Sequence, residues 1–227
     1  MGEIMEPILE KKSWWVIDIE TVSNESSKEY TKKIKFKAPS NYKDEEKIAA
    51  YIDQEKEKAE KNYGLSWWTG KVCLVSLKNY ETGSFKDFYN HKEEVILIEL
   101  KKFLTDELLS SGQTYLIGKS SVTFDFPFLK MRYVVNKIKI PTILIMQNLC
   151  LDIDKLISNY SSCNQVSTLD NYAFGLGIMG KIGSGSQVQD MYNMTLCDPM
   201  HWKELIDYCH QDCEIVHKFL KAFYLED

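Results

Sequence analysis

The stretch Ser13-Trp14-Trp15-Val16-Ile17-Asp18-Ile19-Glu20-Thr21 decides how this chain is read. Its β-branched and aromatic residues, bounded by charge, have the composition of a nearly fully buried strand. An aspartate interrupts that strand. Successive side chains of a strand alternate between faces, so Asp18 and Glu20 project to the same side of the sheet. Two carboxylates placed together repel unless a cation sits between them, and carboxylate oxygen is the donor that a hard divalent ion such as Mg²⁺ selects. The competing reading is an acidic strand terminus that faces solvent. Four Asp-x-Glu pairs occur in the chain, Asp44/Glu46, Asp53/Glu55 and Asp212/Glu214 being the others, and only Asp18/Glu20 falls on an expected central strand.

Working outward from this strand, Lys71–Lys78 and Ser84–Tyr89 are rich in β-formers. The glycine-bearing loop Asn79-Tyr80-Glu81-Thr82-Gly83 joins them, which predicts an antiparallel meander. His91–Leu109 sets Val95, Ile98, Leu100, Phe103, Leu104 and Leu108 at helical spacing, with acids early and lysines late as the helix dipole favours. Thr114–Ile117 reads as a strand ending at Gly118. Phe124–Asn136 reads as a helix that tolerates Pro127 in its first turn. Leu149–Ile153 is a further short strand, and Thr168–Leu176 a short helix closing at Gly177. Asp198-Pro199 opens a last helix running to Phe223, with the aspartate as cap. Between these lies Gly180–Gln187, a loop by composition, either a plain connection or a flap that touches substrate. It lacks the residue order of a phosphate loop. The fold class expected is α/β.

Glu25–Asn62 is the least typical stretch, with 10 Lys and 9 Asp/Glu in 38 residues. We read residues 25–69 as a charged insertion after the first strand, within a single domain spanning 1–227. Lys43–Lys61 carries Ile48, Ile52 and Ala59 on one face, a surface helix. In the first half, Lys28, Lys32, Lys33, Lys35 and Lys37 alternate with Tyr30, Phe36 and Tyr42. That pattern suits either a solvated loop or a track of cations and rings for single-stranded nucleic acid.

The whole chain has 227 residues, with 28 Lys+Arg against 33 Asp+Glu, a net charge of −5, and 44% hydrophobic residues. This is ordinary globular composition and argues against holding nucleic acid by bulk charge, though a local basic patch or metal ions remain open. No apolar run approaches the roughly 20 residues that span a bilayer. Met1-Gly2-Glu3-Ile4-Met5-Glu6 is acidic where a signal peptide is basic, so an intracellular, cytoplasmic protein without a membrane partner is expected. Six scattered cysteines fit reduced thiols. Cys209, Cys213 and His217 recur at four-residue spacing and read as a buried stripe or, less simply, a metal site.

Two further acids stand out. Asp125 is enclosed by apolar residues in Phe124-Asp125-Phe126-Pro127-Phe128-Leu129 at a helix start, as a helix cap or as a ligand. Asp212 follows Tyr208 by four residues in the last helix, so phenol and carboxylate share a face. Taken in order, Val16-Ile17-Asp18-Ile19-Glu20-Thr21, Gly118 to Leu129 and Tyr208-Cys209-His210-Gln211-Asp212 resemble the three motifs of the DEDD superfamily of 3′-to-5′ exonucleases. The tyrosine subgroup, DEDDy, fits better than the histidine subgroup, because Asp207 stands five residues before Asp212. The chain is similar to stand-alone bacterial or phage members and to the proofreading domains of family B DNA polymerases.

The resemblance implies a ribonuclease H-like mixed sheet flanked by helices. It implies that Asp18, Glu20, Asp125 and Asp212 hold two Mg²⁺ or Mn²⁺ ions, with Asp18 bridging, and that Tyr208 orients the attacking water. It also implies single-stranded DNA or RNA 3′ ends as substrate, DNA ahead of RNA, and replication or repair proteins as partners. Thr21, Ser120, Phe124 and Phe126 are the expected substrate contacts, although relatives commonly carry Asn where this chain has Ser120. Tyr30, Trp67 and Trp68 are further stacking candidates unless they belong to the core. Lys119, Lys130 and Arg132 flank the second motif as phosphate contacts or plain surface. Alternatives are a non-catalytic nucleic-acid-binding module on the same fold, and an interaction protein working through the charged insertion.

Overall fold

The computed structural model describes residues 13–111, 113–160 and 168–224. The acidic start used to argue against a signal peptide, and Cys163, lie outside the described residues. Strand β1 (Ser13–Ser23) is followed by helices α1 (Ser26–Lys33) and α2 (Glu45–Lys61), then by β2 (Gly70–Asn79) and β3 (Phe85–Tyr89). Next come α3 (Glu93–Ser111), β4 (Thr114–Gly118), α4 (Asp125–Val135), α5 (Thr142–Ile145), β5 (Cys150–Asp152) and α6 (Ile153–Tyr160). Helices α7 (Leu169–Leu176), α8 (Val188–Cys197) and α9 (Trp202–Phe223) complete the order.

The sheet runs β3-β2-β1-β4-β5, antiparallel through β3, β2 and β1 and parallel through β1, β4 and β5. This is the mixed sheet flanked by helices that the resemblance implies, with β1 at its centre. Ile17 and Ile19 join Val75 and Leu77 in the main core, where Ile96, Leu97, Leu100 and Leu104 of α3 cover them. Asp18 and Glu20, one residue out of phase, point to the other side. There a smaller cluster gathers Val22 and Leu74 with Val188 and Tyr192 of α8 and Leu205, Tyr208 and Cys209 of α9. Gly118 lets β4 pass close to β1, since a Cβ there would lie 2.7 Å from the Ile17 carbonyl.

The expected meander, the helices after it and the αL closure at Gly177 (φ 66°) all form. Asp44 caps α2 by accepting from the backbones of Glu46 and Lys47, and Asp198 accepts from the Met200 backbone just before α9. Ile48, Ile52 and Ala59 are half-buried, as expected of a surface helix. Two readings need correction. The buried face of α3 carries Ile96 and Leu97, while Ile98 is 50% exposed, so the apolar face is rotated from the one expected. The stretch Ser26–Lys33, read as part of a solvated loop or a track of cations and rings, is helical, with Glu29 in its first turn and Lys32 and Lys33 in its last. No described helix is long and apolar enough to cross a membrane.

Candidate metal centre and its surroundings

Three separate elements bring the carboxylates together. β1 supplies Asp18 and Glu20, the start of α4 supplies Asp125, and the middle of α9 supplies Asp212. Glu20, Asp125 and Asp212 are buried, with Asp18 half-buried among them. Asp125 is the first residue of α4, and the cap position before it is held by Phe124, which has no side-chain hydrogen bond to offer.

Burial and mutual repulsion shape the electrostatics. Desolvation, then the charge of Asp212, push the Asp18 carboxyl up to about 7, against the lowering effects of Cys209 and Lys181. Desolvation and the charges of Asp18 and Asp212 hold Glu20 well above the usual carboxylate range. Asp125 is raised in the same way, by burial and then by Asp18. Asp212 is raised by burial although Lys181 opposes it. Its Oδ1 is buried and has no hydrogen-bond partner among the described residues. A cluster so disposed is costly without positive charge, and the fold sets a cation directly against Asp212.

That cation is Lys181, which the sequence reading did not single out. Its ammonium lies 2.6 Å from Asp212 Oδ2 and 5.0 Å from the centre of the Tyr208 ring. Burial lowers the Lys181 pKa, but the Asp212 charge and hydrogen bonds to Asp212 and Tyr208 raise it further, so it stays charged. The loop that carries it is tied down. The Lys181 backbone donates to Asp170 Oδ1 at 2.8 Å, Ile182 donates to Gln211 Oε1 at 2.9 Å, and the Gln211 amide donates to the Gly180 carbonyl. Gly180–Gln187 is therefore docked on α9 beside Tyr208, not a free connection. Tyr208 is buried, and burial pushes its phenol up to about 12 despite Lys181.

Before Asp125, the loop from Gly118 is held by two acids that the sequence reading also missed. Asp152 Oδ1 accepts from the Ser120 backbone at 3.1 Å and its Oδ2 from the Val122 backbone at 3.2 Å. Asp154 Oδ2 accepts from Ser120 Oγ at 2.9 Å, and Asp154 Oδ1 from the Tyr172 hydroxyl at 2.7 Å. Ser120 adopts φ 56°, a left-handed backbone that these bonds sustain. Asp152 falls inside the expected strand Leu149–Ile153 and ends β5, and an acid within an apolar strand is the signal that could have found it.

Other expected residues divide. Thr21 sits half-buried at a β-bulge where the register of β1 on β2 shifts after Glu20. Phe124 is half-buried and packs on Phe128 with ring centres 5.5 Å apart. Phe126 is 2% exposed and belongs to the main core, so it cannot stack on a base as expected. Arg132 is buried too, its guanidinium donating to both Glu93 oxygens at 2.8 and 2.6 Å, which removes it as a phosphate contact. Lys119 pairs with Asp154 at 3.4 Å. Trp67 and Trp68 remain exposed and line a cavity of about 510 Å³ with Lys71, His91 and Asn24, a lining that includes none of Asp18, Glu20, Asp125 and Asp212. Cys213 and His217 bond the Ser76 and Tyr80 carbonyls, so the four-residue stripe is structural except for Cys209.

Comparison with known proteins adds two findings. The sequence model of the RNase_H superfamily matches residues 50–224, a span that holds Asp125, Tyr208 and Asp212 while β1 lies before it. Among solved structures, the chain is similar to the family B DNA polymerase from the hyperthermophilic archaeon Pyrobaculum calidifontis, with TM-score 0.58 and 14% identity. That similarity covers 94% of this chain and 24% of the polymerase, so the chain spans about a quarter of that protein's length. No curated protein matches the sequence. With its mixed five-stranded sheet and a family match over most of its length, the chain belongs to the RNase_H superfamily.

Proposed function

We propose that this chain is a divalent-metal-dependent 3′-to-5′ exonuclease of the DEDDy type. It hydrolyses phosphodiester bonds at the 3′ end of single-stranded nucleic acid, DNA ahead of RNA, and releases nucleoside 5′-monophosphates. The observation that carries this reading is the convergence of Asp18, Glu20, Asp125 and Asp212 from three elements into one buried cluster whose members raise one another's pKa. Membership of a superfamily whose nucleases generally use divalent metal ions supports it.

The residues fit such ions. The donors are hard carboxylate oxygens, and the unpartnered Asp212 Oδ1 offers a lone pair that nothing else in the described chain uses. Asp18, Glu20, Asp125 and Asp212 would hold two Mg²⁺ or Mn²⁺ ions. When bound, these ions supply Lewis acidity that activates water and stabilises the departing 3′ oxygen. Tyr208 keeps its proton at neutral pH, so it donates a hydrogen bond and orients the water but does not take a proton from it. Lys181 holds Asp212 and the ring of Tyr208 in place through its ammonium. Thr21 and Phe124 lie beside the cluster in sequence and are the proposed contacts to the terminal nucleotide. Ser120 acts there through the loop that it anchors to Asp152 and Asp154. A replication or repair setting follows if the substrate is a DNA 3′ end.

Chromatography of the products tests the reading. Single-stranded DNA incubated with Mg²⁺ should yield 5′-monophosphates, and Asp125→Asn or EDTA should abolish them. Binding of the strand without any such product would favour a non-catalytic module on the same fold.

A further inference from the structure

The candidate metal centre contains a donor that Mg²⁺ does not want. Cys209 sits on α9 between Tyr208 and Asp212, fully buried, with its Sγ 3.1 Å from Asp18 Oδ2. One donor atom each from Asp18, Glu20 and Cys209 fall within 4.8 Å of one another. The nine-tenths-buried Asp212, with its unpartnered Oδ1, contributes its charge to the same cluster. Mg²⁺ and Mn²⁺ take oxygen ligands, and a thiol adds nothing to their binding. Zn²⁺ and other thiophilic divalent ions select thiolate, and two carboxylates with one thiolate form a complete three-residue set for a tetrahedral ion.

We infer that the carboxylate cluster doubles as a capture site for thiophilic divalent cations, held by Cys209 Sγ together with Asp18 and Glu20. As the sulfur–metal bond forms, the thiol proton leaves to solvent, and nothing is oxidised or reduced. An ion so held occupies Asp18, which the activating ions require, and arrests hydrolysis. Arrest rests on the proposed exonuclease activity, whereas capture stands on the donor geometry alone. Among the neighbouring thiols, Cys213 contacts Cys209 from one turn further along α9 but turns its own thiol to the Ser76 carbonyl, Cys73 faces the Glu20 carbonyl, and Cys197 is exposed on α8.

The test is a Cd²⁺ titration of the reduced, metal-free chain, read in the ultraviolet as sulfur-to-cadmium charge transfer. The band should saturate at one equivalent, resist excess Mg²⁺, persist in Cys197→Ser and vanish in Cys209→Ser. Cd²⁺ affinity in Cys209→Ser should fall by at least about tenfold. A band that survives Cys209→Ser overturns the inference. Because a buried substitution can impair folding, Zn²⁺-loaded wild type is also examined by X-ray absorption, where one sulfur at about 2.3 Å is expected. A shell of oxygen and nitrogen alone contradicts the capture. Mg²⁺-dependent cleavage measured on the same sample separates the two claims. Cleavage that proceeds undiminished at a Zn²⁺ concentration filling the site refutes arrest and leaves the exonuclease standing. A sulfur-bound ion on a chain that already cleaves nothing with Mg²⁺ before Zn²⁺ is added supports capture and refutes the enzyme.

Discussion

Asp18 titrates near neutrality because burial and the charge of Asp212 oppose its ionisation, and this has a measurable cost. An aspartate in the unfolded chain titrates near 3.8, so between about pH 4 and pH 7 the folded chain binds more protons than the unfolded one. The contribution of Asp18 to stability without metal therefore falls as pH rises through that window. In EDTA the melting temperature should be lower at pH 8 than at pH 5. Mn²⁺ should raise it more at pH 8, where protons no longer compete, and Asp18→Asn should raise it at pH 8 without metal. A melting temperature flat across this range would contradict the assignment. Lys181 supplies the opposing charge, so Lys181→Met should lower the metal-free melting temperature, and saturating Mn²⁺ should recover most of the loss. At this scale strand alternation sets Asp18 beside Glu20 and helical spacing sets Tyr208 beside Asp212, whereas joining Asp125 to them rested on the resemblance of the three motifs, not on periodicity. Lys181 was not legible, since a glycine-rich loop has no periodicity to say where its side chains point. Phe126 was misread because a ring in an apolar helix start serves core or substrate equally well on sequence alone.

The strands and most helices could be read from pattern, and the errors have physical causes. Val95-Ile96-Leu97-Ile98 is four consecutive apolar residues, so the phase of the apolar face of α3 is ambiguous until β2 and β4 select Ile96 and Leu97. α1 was missed because lysines interleaved with rings suit an extended track as well as one short helix. The start of α3 meets the end of α4 through a buried ion pair, in which Glu93 also accepts from the Val72 backbone at 2.7 Å and the Asn136 amide at 2.8 Å. This knot fixes α4, and with it Asp125, against the sheet. Arg132→Met should cost about 3–5 kcal/mol in urea unfolding by leaving Glu93 buried and uncompensated, and adding Glu93→Gln should recover part of that. An unchanged midpoint would show the pair to be dispensable.

Across the whole molecule, a net charge of −5 leaves strand binding to local cations. The exposed Lys28, Lys32, Lys33, Lys35 and Lys37 on and after α1 are the densest such group in the insertion. Replacing them with Gln should weaken binding of single-stranded DNA uniformly across sequences, and reduce the salt slope by about one for each lysine that meets a phosphate. An unchanged slope would show that the insertion does not touch the strand. The central claim is that three elements of an RNase H-like fold converge to cleave nucleic acid from its 3′ end. Its most direct test is a gel time course on 5′-labelled single-stranded DNA and its RNA counterpart, with Mg²⁺, Mn²⁺ or EDTA, beside Asp18→Ala. The account predicts a ladder that shortens from the 3′ end, faster on DNA, and is absent with EDTA or the substitution. Full-length label in every lane, from folded protein supplied with metal, would contradict it.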